Sequence, residues 1–224
     1  MTITYHKEVL QGSDEWLALR CGLLTASEMK LIITAKKLEY AQNDKERGHL
    51  YELAAQRINK YVEPSYIGDD MLRGMDDESY ARETYHENYA LVETCGFVTN
   101  DKWGFTLGWS PDGLCGDNGA IEAKSRKQKY QLEIIMTEQV PDEHVIQVQT
   151  GLLVGEREWL DYISYCGGMP MKVIRAFPDT KIQAAIVNAA SIFHEKMDKI
   201  IAKYGDKIAG LIATERRSME DIIV

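Results

Sequence analysis

The hydrophobic and polar positions change period along the chain, and the changes mark out its elements. Between Trp16 and Ile33, apolar residues are mixed with Arg20 and a Thr-Ala-Ser-Glu box. There Thr25 or Ser27 suits an N-cap, with Glu28 in the first turn of a helix behind it. Residues 36–47 hold Lys36, Lys37, Lys45 and Arg47 and read as a polar connection between helices. From Met75 to Cys95, Tyr80, Tyr85 and Tyr89 with Ala81, Leu91 and Val92 keep a helical spacing, and Gly96 stands where a helix stop would. The texture then turns aromatic and glycine-rich over residues 103–109. Two short apolar runs flank Asp117-Asn118-Gly119, and an Asn-Gly pair in that setting predicts a hairpin. Helical texture returns over 128–138 and 143–154. Glu158–Cys166 and Met171–Phe177 read as strands around Gly167-Gly168. A long helix from about Thr180 to Tyr204 closes the chain, with a shorter one beyond Gly205. This order predicts an α/β or α+β fold, a mixed sheet with helices on its faces.

Composition narrows the class. The 224 residues fit one domain, 1–224. Apolar residues at 45% and charged residues at 27% are enough for a core without disulfides. No apolar run approaches the roughly 20 residues of a membrane span, and the start lacks the layout of an export signal. No membrane role and a cytoplasmic location are therefore expected. Cys21, Cys95, Cys115 and Cys166 are scattered, without a CxxC pair for zinc or redox chemistry. The net charge of −9 argues against a protein that coats nucleic acid. It leaves room for a local basic groove, because a focused field depends on where charges sit.

One constellation carries chemistry. Ser110-Pro111-Asp112-Gly113 precedes Glu122-Ala123-Lys124, with nine residues between Asp112 and Glu122. On a strand, positions i and i+2 share a face, so Glu122 and Lys124 project together while Ile121 and Ala123 point away. The hairpin at 117–119 would bring Asp112 alongside. Two carboxylates suit Mg2+, which binds through one or two of them plus phosphate and water. Lys124 would orient water or offset phosphate charge, and a depressed pKa is expected for it. By spacing alone, the same residues also suit a solvated ion pair behind an ordinary turn. A basic run of Lys124, Arg126, Lys127 and Lys129 follows, either a solvated helix start or a contact for a DNA backbone.

Taken together, these residues resemble a known family. The Ser-Pro-Asp-Gly and Glu-Ala-Lys pair is similar to the PD-(D/E)xK nuclease motif. Residues 16–28, Gly74 to Glu78, and Gln147-Val148-Gln149 occur in the order of the lambda exonuclease and YqaJ-type viral recombinase family, from Trp16 to about Gly155. The resemblance implies a restriction-endonuclease-like fold, with a nuclease core over about 16–177 and closing helices over about 180–217. It implies metal ligation by Asp112, Glu122, Glu78 and the Ala123 carbonyl. Two Mg2+ ions per site are expected, with Mn2+ able to substitute. Lys124 would assist water and Gln147 would orient groups at the metal. Arg20, Ser27 and Ser110 resemble a pocket for a 5′-terminal phosphate, and Arg126 would contact DNA. Glu78 is open to a second reading as a helix-dipole carboxylate, and Arg20 as a surface ion-pair residue. Gln147 and Gln149 lie about 200° apart on a helix, so only one can face the site; His144 is expected to pack or cap. The implied activity is 5′-to-3′ digestion of one strand of linear duplex DNA to 5′-mononucleotides. A ring-shaped homotrimer, a single-strand annealing recombinase as partner, and a phage or prophage origin are further implied. The alternatives are a structure-selective endonuclease with the same metal site and a non-catalytic DNA-binding scaffold.

Overall fold

A computed structural model of the chain describes residues 2–34, 36–64 and 68–216. After β1 (Ile3–His6) comes the short helix α1 (Asp14–Arg20), started by Ser13, whose hydroxyl accepts from the Trp16 N–H. Strands β2 (Leu24–Thr25), β3 (Ile33–Thr34) and β4 (Glu39–Tyr40) lead to α2 (Asp44–Asn59). The Asn43 side chain caps α2 by accepting from the Lys45 and Glu46 N–H groups. Next come α3 (Asp69–Asn88), β5 (Phe97–Asn100), β6 (Leu107–Trp109), β7 (Gly113–Cys115) and β8 (Gly119–Ser125). Helices α4 (Gln128–Thr137) and α5 (Asp142–Val154) precede β9 (Trp159–Tyr165) and β10 (Lys172–Ala176), and α6 (Thr180–Lys207) follows.

The strands form two four-stranded mixed sheets, in the orders β1-β5-β6-β2 and β10-β9-β8-β7, with a β3-β4 hairpin beside them. Strands β8 and β9 run parallel, with Glu122 opposite Tyr162. A parallel pair needs a long crossover, and α4 and α5 supply it. Chain segment 110–112 joins β6 of the first sheet to β7 of the second. The two sides of β8 meet different layers. Ile121 and Ala123 pack with Ala81 and Tyr85 of α3, whereas Ala120 joins the larger core with Ile146, Val148 and Leu152 of α5. Buried on almost every side, α5 has no polar outer face.

The expected hairpin at 117–119 is present, with Cys115 opposite Gly119. Its left-handed residue is Gly116, at φ 56°, and Gly119 instead lets the Trp159 ring lie against the backbone. Four local expectations are corrected. The Thr-Ala-Ser-Glu box starts no helix: Thr25 pairs with Gly108 in a parallel ladder, and only a 3-10 turn at Met29–Leu31 follows, without a side-chain cap. Residues 36–47 are not all connection, since they contain β4 and the start of α2. Gly96 ends no helix, because α3 stops at Asn88; it sits where a side chain would strike the Val9 carbonyl. Finally, α6 runs through Gly205 to Lys207, and no helix follows over 211–216. The expected last helical position, 217, lies outside the described residues.

Candidate active site

The joint between the two sheets gathers the acidic residues. Asp112 is buried just before β7, and its Oδ2 accepts from the Ala123 N–H at 2.6 Å. In a strand, the N–H and C=O of one residue point to the same side. The Ala123 carbonyl therefore opens toward Asp112, beyond the end of β7. From α3, Arg82 donates to the Asp112 carbonyl at 3.3 Å, and the Glu78 carboxyl interacts with that of Asp112. On the α5 side, Glu122 Oε1 accepts from both Lys124 Nζ and Gln147 Nε2. Its other oxygen, Oε2, is buried without a hydrogen bond of good geometry, and the buried indole N–H of Trp109 is the donor that acts on this carboxylate. Asp112, Glu122, Ala123, Lys124, Glu78 and Gln147 are thus brought to one place.

The electrostatics show a site short of positive charge. Burial, reinforced by the Glu78 charge, pushes Asp112 up to about 8. Burial also raises Glu122 to about 7, despite the opposing pull of Lys124. For Lys124, burial alone would lower the pKa, but Glu122, Asp112 and Glu78 outweigh it. The net direction is upward, which corrects the expected depression: in a metal-free pocket the carboxylates hold the ammonium charged. Two buried carboxylates, with Glu78 acting on one of them and a single ammonium beside them, are hard oxygen groups of excess negative charge that fit a divalent cation. Among the described residues, no three His, Cys, Asp or Glu side chains form a ready-made cation cage.

A second cluster lies beside the first through Ser110 and Pro111. Trp16 Nε1 donates to Ser110 Oγ at 2.9 Å. The Arg20 guanidinium sits 4.3 Å from the centre of the Trp16 ring and donates to Thr25 Oγ1 at 3.3 Å. Thr25 Oγ1 also lies 3.3 Å from Ser27 Oγ and donates to Glu28. Arg20, Ser27 and Ser110 are therefore linked through Thr25 and Trp16. Arg126 stands away from the carboxylates, paired with Glu143 at 3.0 Å and lying over Tyr130.

Known proteins share this frame. A model of the YqaJ-like viral recombinase domain matches residues 15–158. The chain belongs to the YqaJ-like viral recombinase family. Among solved structures, the chain is similar to an alkaline exonuclease, LHK-Exo, from Laribacter hongkongensis. That match has 29% identity and a TM-score of 0.78, over 89% of this chain and 100% of that one. The same figures hold for LHK-Exo in complex with dAMP. A phage related exonuclease from Haemophilus somnus 129PT shares the fold, at a TM-score of 0.61 and 11% identity, over 81% of this chain and 96% of that one. No curated protein matches the chain.

Within this YqaJ-like chain, α5 separates its two glutamines as helix geometry requires. Gln147 reaches Glu122, while Gln149 turns away to the Phe177 carbonyl and the Asp179 N–H. His144 packs on Tyr162, with Nδ1 2.8 Å from its hydroxyl. Tyr85 is buried and donates to Asp161, while Tyr80, Tyr89 and Tyr130 are exposed. Sequence reasoning passed over Trp16 and Arg82. Trp16 carried a usable signal, four residues before Arg20 on a helix; Arg82 reaches Asp112 only through folding and carried none.

Proposed function

We propose that this chain is a Mg2+-dependent deoxyribonuclease that digests one strand of linear duplex DNA from its 5′ end. The observation that carries the reading is the buried Asp112–Glu122 pair beside Lys124, two carboxylates that burial raises and one ammonium does not offset. Asp112, Glu122, Glu78 and the Ala123 carbonyl would hold one or two Mg2+ ions, with Mn2+ able to substitute. Bound there, the ion supplies charge stabilisation at the phosphate and acidifies a water. Lys124 contributes a fixed positive charge beside the scissile phosphate, where it offsets developing negative charge. Gln147, donating to Glu122 Oε1, would fix how that carboxylate is oriented. Arg20, Ser27 and Ser110 offer a fork and two hydroxyls to a terminal phosphate, and the planar guanidinium matches phosphate oxygens. The 29% identity to an alkaline exonuclease, and that protein's complex with dAMP, support a deoxynucleotide substrate.

The test uses linear duplex DNA with Mg2+ or with EDTA, comparing the wild type with Asp112→Ala. Mononucleotides should appear only for the wild type with Mg2+, and the 5′-labelled end should be released first. No release under Mg2+ would end the enzyme reading. Release of the 3′ label first would reverse the polarity, and cutting of covalently closed circles would favour an endonuclease.

A further inference from the structure

Trp16 touches both halves of the second cluster. The start of α1 fixes its place, because Ser13 caps the helix through the Trp16 N–H at 3.2 Å. One turn later on the same face stands Arg20, its guanidinium carbon 4.3 Å from the centre of the indole and 5.9 Å from that of Phe97. Among the described residues, Arg20 makes no ion pair, and Glu28 acts on it only at longer range. A largely buried guanidinium held by aromatic faces keeps its charge and most of its N–H fork for an external anion. The other half is Ser110. A hydroxyl has one proton to give and can accept twice. The Trp16 Nε1–H fills one acceptor position at 2.9 Å, and no described group receives the Ser110 proton. Accepting a hydrogen bond strengthens the outgoing one, so the Ser110 hydroxyl is set to donate to an anion.

We propose that Trp16 is a positioning residue for end selectivity: its ring face holds Arg20 and its N–H turns Ser110, so that both address the terminal phosphate together. The inference rests on the 5′-end reading above and names what sets its selectivity. It also ties α1 to the segment bearing Asp112, two residues beyond Ser110, so gripping the end and placing the scissile bond share one anchor.

The experiment measures kcat and KM on linear duplexes with 5′-phosphate or 5′-hydroxyl ends. The variants are Trp16→Phe, Ser110→Ala and the double variant, with thermal melting in parallel. Phenylalanine keeps a ring face for Arg20 and removes only the N–H. The ratio of kcat/KM for phosphate over hydroxyl ends should fall by about tenfold in Trp16→Phe, the scale of one hydrogen bond to a charged group. The double variant should fall no further than Ser110→Ala, because both changes break one chain of contacts. A Trp16→Phe enzyme that slows equally on both ends, with the ratio intact, would show a merely structural tryptophan and overturn the proposal. Additive losses in the double variant would overturn it as well. A wild type without preference for phosphate would remove the 5′-end reading and this proposal together. A preference kept by Trp16→Phe would remove the proposal alone.

Discussion

At the scale of the residue, Glu122 shows how a side chain is committed before any ligand arrives. Its Oε1 is engaged twice, by Lys124 and Gln147, while the buried Trp109 N–H also acts on the carboxylate. Gln147 is an uncharged donor and does not compete with Lys124 for charge, so its contribution is orientation. Groups that orient metal ligands typically change metal affinity or activity by about 10- to 100-fold when removed. Gln147→Leu should therefore lower cleavage by about that factor and raise the Mg2+ concentration needed for half-maximal rate. A Mg2+ titration of both enzymes decides this. Unchanged metal dependence would mean that Gln147 acts elsewhere. Gln149→Leu supplies the contrast, since its bonds go to Phe177 and Asp179 on the far side of α5.

At the scale of the element, glycines separate positions of close approach from open ones. A methyl group on Gly96 would lie 1.8 Å from the Val9 carbonyl oxygen, and backbone cannot rotate away as a side chain can. Gly96→Ala should destabilise the protein by about 3 kcal/mol, read as a lower urea midpoint. Gly74, inside α3, has open space around it. Gly74→Ala should raise stability by about 0.5–1 kcal/mol through helix propensity. The same contrast explains what the sequence could reveal. Glu122 and Lys124 were legible because a two-residue period needs only the strand itself, and the β7–β8 hairpin because its turn is local. The Thr25–Glu28 box was misread because a local capping signal lost to the pairing of Leu24 and Thr25 with β6, more than 80 residues away. Gly96 was misread for a similar reason: its constraint comes from Val9, packed against it in the fold. The meeting of Glu78 with Asp112 crosses from α3 to the sheet joint. Family motif order pointed to it, and no spacing did.

At the scale of the whole molecule, the buried charges set how stability depends on pH. Asp112 at about 8 and Glu122 at about 7 are both raised, from ordinary values of 3.8 and 4.5. The folded protein therefore holds protons that the unfolded chain releases. Their stabilising contribution is full at low pH and drains away as pH rises to about 8. His144 and His194 act in the opposite sense. Burial lowers both to about 4, from 6.5, so the unfolded chain binds their protons first and stability rises with pH between about 4 and 6.5. Lys124 is raised, and it changes nothing until the pH passes 10.5. The two trends oppose each other below pH 6.5, and above it only the carboxylate trend remains. In EDTA, the urea midpoint should therefore fall from pH 6.5 to 8. Asp112→Asn should flatten that fall, because an amide has no proton to release there. Mg2+ should also flatten it, by binding the ionised carboxylates of the folded state alone. Denaturation curves across this interval, with and without Mg2+, test the scheme. A metal-free midpoint that stays level from pH 6.5 to 8 would show that the pocket tolerates its ionised carboxylates unaided, and the case for a cation drawn from their burial would be lost.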